Sequence, residues 1–338
     1  MHIQQAIARV LDHHDLSAED MESVMRSIMT GGATDAQIGG FLVGMRMKGE
    51  TSQELAAAAQ VMREMATGVE VVGDNAIDTC GTGGDAAGLF NISTASALVA
   101  AAAGAKVAKH GNRSVSSKSG SADVLEAAGV RLDLKAEQVA TCIERVGVGF
   151  LFAPGHHAAM RHAIGPRREL ASRTLFNLLG PLTNPAGVRR QLLGVFSPLW
   201  LESVAEVLKL LGSEHVMVVH SEDGLDEISV AAPTRVAELK RGEILSYQVA
   251  PEDFGIPRGD LTDLKVQDAG ESLALIRRVL DDEPGAARDI VRLNAGAAVY
   301  VAGVAPSFAD GVRKATAAIA NGAARARLAA LVDFTQGR

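Results

Sequence analysis

Ala76-Ile-Asp-Thr-Cys-Gly-Thr-Gly-Gly-Asp85 opens the stretch that decides the fold. Its apolar start, Ala76–Thr79, reads as a short strand. The glycine loop Gly81–Gly84 follows, and then the small-residue stretch Ser93–Ala103 reads as a helix. Moving outward toward the C-terminus, the alternation continues. The spacing predicts strand Lys106–Lys109, helix Val124–Gly129, strand Val130–Leu134, helix Ala136–Val146 and strand Val148–Phe152. Strand Leu192–Phe196, helix Leu199–Leu211 and strand His215–His220 repeat the theme. Strands alternating with helices of about ten residues predict an α/β domain with a mostly parallel central sheet. Ile228–Ala232, Val236–Lys240 and Ile244–Val249 lie closer together and predict an antiparallel edge. The Ala-rich stretch Phe308–Val332 predicts helix with a break at Gly322.

Outward toward the N-terminus the pattern changes. The first residues, up to Gly68 and Gly73, read as short amphipathic helices between polar breaks. Ser17 opens one, with Asp20 in its first turn. Thr34 with Gln37, and Thr51 with Glu54, each fit a capping box, in which a hydroxyl caps the helix and a side chain three residues on reaches back. The fold class is therefore α/β: a small all-helical domain, residues 1–72, ahead of a large α/β domain, residues 73–338. A length of 338 residues fits two such units.

Composition narrows the function. With 47% hydrophobic and 22% charged residues the chain has a core to bury and is not disordered. A net charge of -7 disfavours non-specific nucleic-acid binding, which rests on neutralising phosphates with basic residues. It leaves room for an anionic small substrate, because a local basic loop can oppose the global field. The two cysteines, Cys80 and Cys142, exclude a disulfide scaffold and a cysteine-paired zinc site, and read as two buried thiols in a reducing compartment. The N-terminus carries no basic-flanked apolar core, and the longest apolar run, Ala97–Ala105, is too short to cross a bilayer. The expectation is a cytoplasmic protein with no membrane partner.

Four segments carry chemistry. The glycine loop Gly81–Gly84 runs from a strand toward a helix start at Ser93 and Thr94. Exposed N–H groups and the helix N-terminus together make a phosphate cradle. Neither a Walker loop nor GxGxxG fits its spacing. The second segment is Lys109-His-Gly-Asn-Arg-Ser-Val-Ser-Ser-Lys-Ser-Gly-Ser-Ala-Asp123. Hydroxyls and cations concentrated between a strand and a helix suit phosphate or pyrophosphate oxygens. In the third, Gly224-Leu-Asp-Glu-Ile-Ser229, the adjacent acids Asp226 and Glu227 can hold a hard cation through oxygen, though such pairs are also common on surfaces. The fourth runs from His156 and His157 to Arg167 and Arg168. Adjacent histidines on a helix diverge, so at most one faces a site. Zinc does not fit, because no third and fourth ligands stand at the usual spacing. Arg167 can read a planar carboxylate.

Together these segments, with Arg173-Thr-Leu-Phe-Asn177 and Leu179-Gly-Pro-Leu-Thr-Asn-Pro185, resemble the anthranilate phosphoribosyltransferase family of tryptophan biosynthesis. The resemblance spans essentially the whole chain. It implies a helical domain hinged to the α/β domain, with a segment near 165–185 joining them, and a homodimer formed through the helical domains. It also implies the substrates phosphoribosyl pyrophosphate (PRPP) and anthranilate, with Mg²⁺. Onto matching positions it carries a PRPP site of Gly81, Gly84, Asp85, Asn91, Ile92, Ser93, Thr94, Lys109, His110, Gly111, Asn112, Arg113, Ser114, Val115, Ser116, Ser117 and Ser121. Anthranilate would meet Gly81, His110, Asn112, His157 and Arg167, and the metal Ser93, Asp226 and Glu227. The resemblance implies no covalent nucleophile. At position 89 the family usually has a hydroxyl residue, where this chain has Leu89. Ala86 and Ala171 stand where glycine is usual.

For the transfer so implied, anthranilate's amine is neutral at cell pH and attacks without prior deprotonation, so orientation should outweigh general base catalysis. Two other readings share parts of the pattern. A pyrimidine nucleoside phosphorylase would bind phosphate and a nucleobase. A non-catalytic homologue that binds nucleic acid would need a basic patch. The acid pair and Arg167 favour the first reading over the phosphorylase, and the negative charge opposes nucleic acid. Met25, Met29, Leu42 and Met45 are expected to form the apolar surface of the dimer.

Overall fold

A computed structural model describes residues 1–73, 75–84, 87–114 and 118–338. Four helices come first: α1 Ile3–Leu11, α2 Ala18–Met29, α3 Asp35–Lys48 and α4 Ser52–Glu64. Local chemistry starts them. The hydroxyls of Ser17, Thr34 and Thr51 accept from the N–H groups of Asp20, Gln37 and Glu54. Gln37 and Glu54 accept in return from the Thr34 and Thr51 N–H groups at 2.9 Å, closing both boxes. Glu54 also works at long range. Fully buried, it accepts from Leu16 N–H and Lys48 Nζ, each at 2.9 Å, and ties the α1–α2 turn to α4.

The α/β part then alternates: β1 Ala76–Gly81, α5 Ile92–Ala102, β2 Lys106–Gly111, α6 Ser121–Ala127, α7 Ala136–Val146 and β3 Val148–Phe152. Helices α8 Ala153–His156, α9 Arg161–Leu170 and α10 Leu175–Leu182 lead back to β4 Arg190–Gly194. Next come α11 Leu201–Leu210, β5 His215–Ser221, β6 Thr234–Lys240 and β7 Glu243–Val249. Four helices close the chain: α12 Ala269–Leu280, α13 Ala286–Val301, α14 Phe308–Ala320 and α15 Ala323–Thr335. Gly322 separates the last two, as the sequence predicts.

The strands form one seven-stranded sheet in the order β3-β2-β1-β4-β5-β6-β7. From β3 to β5 the pairs are parallel, and β6 and β7 add the antiparallel edge. The chain steps outward through β2 and β3, then returns to the other side of β1 with β4. The crevice at the carboxyl ends of β1 and β4 is thus a topological switch point, where open α/β sheets take their ligands.

Period-two alternation divides the sheet's apolar residues between two cores. Leu192, Met217 and Val219 face α5 and α12–α15. Leu193, Val195, Val216 and Val218 face the opposite way, into a cluster continuous through α9, α10 and α11 with the core of α1–α4. The first four helices therefore pack onto the rest of the molecule through α9–α11.

Several expectations need correction. Val130–Leu134 is irregular, because Val130 fills the core while Arg131 N–H bonds to the Thr335 hydroxyl instead of a strand. Ile228–Ala232 is not a strand either. Asn294 of α13 takes Ile228 N–H at 2.9 Å and donates to its carbonyl at 2.8 Å, so a side chain replaces the ladder. Asn91, rather than Ser93 or Thr94, caps α5. Helix α6 starts earlier than predicted, at Ser121, and β4 runs Arg190–Gly194 rather than Leu192–Phe196. Met25, Met29, Leu42 and Met45 are buried within the helical cluster and offer no surface. Cys142 is buried, whereas Cys80 is only partly so. Leu89 pairs by an isolated bridge with Lys265 and packs on the core, so it serves the structure without a hydroxyl.

Ala171, at the end of α9, has φ +45°. A left-handed conformation costs an L-residue about 1–2 kcal/mol, while glycine there loses roughly 0.5–1 kcal/mol more chain entropy on folding. Ala171→Gly should therefore raise unfolding stability by up to about 1 kcal/mol, seen as a higher urea midpoint at unchanged m. A lower midpoint would contradict the strain.

Candidate active site

Three neighbouring strands end in glycine at the switch-point rim: Gly81 on β1, Gly111 on β2 and Gly194 on β4. Two of them make room for one carboxylate. A Cβ on Gly81 would strike the Asp226 side chain, and one on Gly194 would strike the Asp226 main chain. Asp226 therefore lies against the glycine loop, where its Oδ2 accepts from Gly83 N–H at 2.9 Å. The loop that carries it is braced from behind. Ser221 and Ser229 both donate to the Asp223 carboxylate, and Asn294 clamps Ile228 from α13.

Beneath the rim, Lys109 of β2 is buried at 2% exposure. Its Nζ donates to Thr79 O at 2.5 Å and to Ser93 Oγ at 3.1 Å. Burial pulls its pKa down, against the attraction of Asp78 and Glu227. Burial conversely raises the pKa of Asp78 on β1, against the charge of Lys109. Asp78 is fully buried, and its Oδ1 and Oδ2 accept from His110 N–H at 3.0 Å and Asn184 Nδ2 at 2.8 Å. Ser93 and Glu227 line one small void together with Thr79, Cys80 and Asn294.

Asn91 Oδ1 caps α5 by accepting from Thr94 N–H at 3.1 Å, and the Thr94 hydroxyl also donates to it. Ile92 lies in the apolar core, so only its main chain is available at the helix start. In the serine-rich segment, Asp123 is the organiser: one oxygen accepts from Ser114 N–H at 3.0 Å and Gly120 N–H at 2.9 Å. Arg113 pairs with Asp123 and Glu126, and Asn112 Oδ1 accepts from Arg113 N–H. The Ser121 hydroxyl donates to Asn112 O at 3.4 Å. Asp85, Ala86, Val115, Ser116 and Ser117 lie outside the described residues.

Helix α10 forms the other wall. The His110 ring bonds to the Gly180 main chain and the His157 ring to that of Thr183. In each ring this leaves Nε2 buried with no partner among the described residues. The rings lie 5.2 Å apart, centroid to centroid. Burial and neighbouring histidines push His110 down to about 3, and His157 down to about 4. Both rings are therefore neutral at cell pH. His156 turns away to Thr67 O at 2.8 Å, although only His156 is helical and His157 is the non-helical residue that ends α8. Arg167 reaches from α9 over the Phe176 ring, 5.2 Å from its centroid, while Arg168 is exposed. Arg167 is half-buried and has no carboxylate partner among the described residues, and burial lowers its pKa.

The structure thus gathers Gly81, Gly84, Ser93, Lys109, Asp226 and Glu227 at one rim. It also brings His110 and His157 together against α10, the helix that Arg167 overlies. Sequence reasoning assigned nothing to Asp78, Asn184, Asp223, Asn294 or Phe176. Asn294 gave a signal, since a lone amide in the apolar run of α13 needs a buried partner. Asp78 and Asn184 act through contacts distant in sequence, while Asp223 and Phe176 act through near neighbours whose geometry only the fold sets.

Comparison with known proteins identifies the family. The model of the glycosyl transferase family's a/b domain matches residues 73–325, and that of its helical bundle domain matches residues 4–66. This is the class that fold and site define. An anthranilate phosphoribosyltransferase of Thioalkalivibrio sulfidiphilus is 67% identical over 99% of both chains. That of Methylococcus capsulatus is 61% identical over 99% of this chain and 98% of its own. The crystal structure of anthranilate phosphoribosyltransferase from Thermus thermophilus superposes with a TM-score of 0.92 at 45% identity, covering 98% of this chain and 99% of that one. A Saccharomyces cerevisiae structure in complex with PRPP and Mg shares the fold at a TM-score of 0.90 and 24% identity, over 99% of this chain and 98% of its own. The chain belongs to the anthranilate phosphoribosyltransferase family.

The two histidines set a pH dependence. Their folded pKa values lie below the usual 6.5 or so, so the unfolded chain takes up protons that the folded chain refuses. Their stabilising effect is complete above about pH 6.5 and is lost as pH falls toward 4, by up to about 1.4 kcal/mol per unit and per ring. Ring NMR should show both neutral at pH 5.5. A midpoint near 6 for either would refute the burial.

Proposed function

We infer that this protein transfers the phosphoribosyl group of PRPP to the amine of anthranilate, giving N-(5-phosphoribosyl)anthranilate and pyrophosphate. The observation that carries this is the meeting, at the strand ends of the switch point, of a glycine-lined, lysine-backed oxygen cradle with the His110–His157 pair, beside a helix whose Phe176 is overlain by Arg167. Full-length relatives bearing the enzyme's name support it. In this reading the PRPP residues are those of the glycine loop, the α5 start and the segment Lys109–Ser121, with His110, Asn112, His157 and Arg167 about anthranilate.

Each group has a physical task. Breaking the bond at C1 builds positive charge on the ribose and negative charge on the leaving pyrophosphate. Buried Lys109 and the loop N–H groups and hydroxyls oppose the negative charge. His110 and His157, being neutral, add no positive charge beside the ribose. Their unpartnered Nε2 atoms can accept from the attacking amine and orient its lone pair. The all-oxygen set of Ser93, Asp226 and Glu227 fits Mg²⁺, which favours one or two carboxylates completed by phosphates and water. When bound, the ion would neutralise pyrophosphate charge.

The division into residues 1–72 and 73–338, joined near 165–185, would let the anthranilate wall move relative to the PRPP rim. The family models separate between residues 66 and 73 in the same region. A homodimer through the helical bundle fits its exposed Leu11, Val43 and Met47, in place of the four buried residues named above. A cytoplasmic location belongs to the same reading; no helix among the described residues is long and apolar enough to cross a membrane.

PRPP-dependent loss of anthranilate fluorescence tests the activity. No loss with Mg²⁺ present would overturn it, and phosphorolysis of a pyrimidine nucleoside would favour the phosphorylase reading. Asp226→Asn with Glu227→Gln should keep the fold by circular dichroism and lose most turnover at ordinary Mg²⁺. Near-normal activity would remove the acid pair from the metal site. Arg167→Ala should raise KM for anthranilate about ten- to hundredfold, the range for a charge-assisted bond, and leave KM for PRPP nearly unchanged. Exposed Arg168→Ala is its control, and a larger anthranilate defect there would reverse the assignment.

A further inference from the structure

Arg173 opens the run Arg173-Thr-Leu-Phe-Asn177, yet no task has so far fallen to it. Three successive residues of the glycine loop are held by three different parts of the fold. Thr82 N–H donates to Gly194 O at 2.9 Å, and its hydroxyl accepts from Phe196 N–H at 3.1 Å, so the end of β4 holds the loop's base. Gly83 N–H is held by Asp226. The Gly84 carbonyl accepts from the Arg173 guanidinium. That guanidinium lies flat against the loop's own support, with Cζ 4.1 Å from the Phe196 ring centroid. It is also so close that a Cβ on Gly84, whose φ is +83°, would press against it. The main chain of Arg173 is held from the other side, where Arg46 of α3 donates to its carbonyl at 2.6 Å. One residue thus has its side chain on the glycine loop and its backbone on the helical bundle.

We propose that Arg173 is a positioning residue for the phosphoribosyl donor: it sets the Gly84 end of the glycine loop and makes that setting depend on the helical bundle through Arg46. The proposal rests on the glycine loop being part of the PRPP site. A planar guanidinium suits the task. It can stack on Phe196 and point a charge-assisted donor at a main-chain oxygen at once, whereas an ammonium group has no plane to stack. Without Arg173 the loop keeps, among the described residues, its anchors at Thr82 and Gly83. The donor substrate must then order Gly84 as it binds, and that ordering is subtracted from its affinity. Anthranilate contacts α10 and the histidine pair, so its affinity does not carry the same cost.

The test compares wild type with Arg173→Ala, Arg173→Lys, Arg46→Ala and the Arg46→Ala/Arg173→Ala double variant. It reads steady-state constants for both substrates, calorimetric binding of PRPP with Mg²⁺ without anthranilate, and thermal midpoints. Arg173→Ala should weaken PRPP about tenfold, as expected for loss of one charge-assisted hydrogen bond, and change KM for anthranilate less than about twofold. Arg173→Lys should recover part of the PRPP affinity, because it keeps a donor and loses the stack. Arg46→Ala should weaken PRPP in the same direction by a smaller factor. The double variant should be no worse than Arg173→Ala, because Arg46 acts through Arg173. Unchanged PRPP binding in Arg173→Ala overturns the proposal. Equal losses for both substrates with a lowered thermal midpoint also overturn it, as they describe a structural residue. Calorimetry keeps this distinct from the transferase reading: a wild type that binds PRPP and fails to consume anthranilate sinks that reading and still tests Arg173.

Discussion

A fully buried carboxylate, Asp78, is the constraint around which the site is arranged. Its two oxygens are used by His110 N–H and Asn184 Nδ2, and its charge faces Lys109 across the β1–β2 pair. A buried charge survives only when paired and hydrogen-bonded. Asp78 therefore fixes three things together: the relative placement of β1 and β2, the turn at Asn184 that follows α10, and the position of Lys109 under the rim. Asn184 extends the hold by donating also to Ala108 O. The groups at the rim inherit their places from this internal charge balance.

Above that base the site separates into a charged half and a neutral half. The charged half, with Lys109, Asp226 and Glu227, grows from strand ends and the loops that follow them. The neutral half, His110 and His157, is set by main-chain groups of Gly180 in α10 and of Thr183 just after it, and each ring's Nε2 is buried with no partner among the described residues. His110 neighbours Lys109 in sequence, but strand alternation sends the two side chains to different surroundings. Adjacent residues thus serve opposite electrostatic environments, and a step of one residue in β2 register would exchange them.

The glycine loop shows how little of such a site is self-supporting. Each of its residues depends on a partner more than 85 positions away in sequence: Gly194 and Phe196, Asp226, and Arg173. The glycines at Gly81 and Gly194 are there to admit the Asp226 loop, which ties the metal-type acids to the phosphate-type turn. The helical bundle reaches the loop by way of Arg46 and Arg173, so the two structural halves share a loop as well as an apolar core.

Read alone, the sequence determined whatever depends on neighbours within about four residues. The capping boxes of α3 and α4, the boundaries of α7 and β3, the break at Gly322 and the strand–helix alternation all follow from local hydrogen bonding and periodicity. They hold in the structure. The serine-rich segment stood out by composition, while the acid pair alone was no more than a pair common on surfaces. Tertiary structure decided the rest. Val130–Leu134 and Ile228–Ala232 have strand-like composition, but Thr335 and Asn294 offered their backbone groups other partners. Met25, Met29, Leu42 and Met45 look like surface to a block of four helices, but packing among α1–α4 and onto α9–α11 buries them in one continuous core. Which histidine nitrogen stays free, and which charge lies beside Lys109, depends on backbone far along the chain. A sequence lists these groups, and only the closed fold fixes the distances between them.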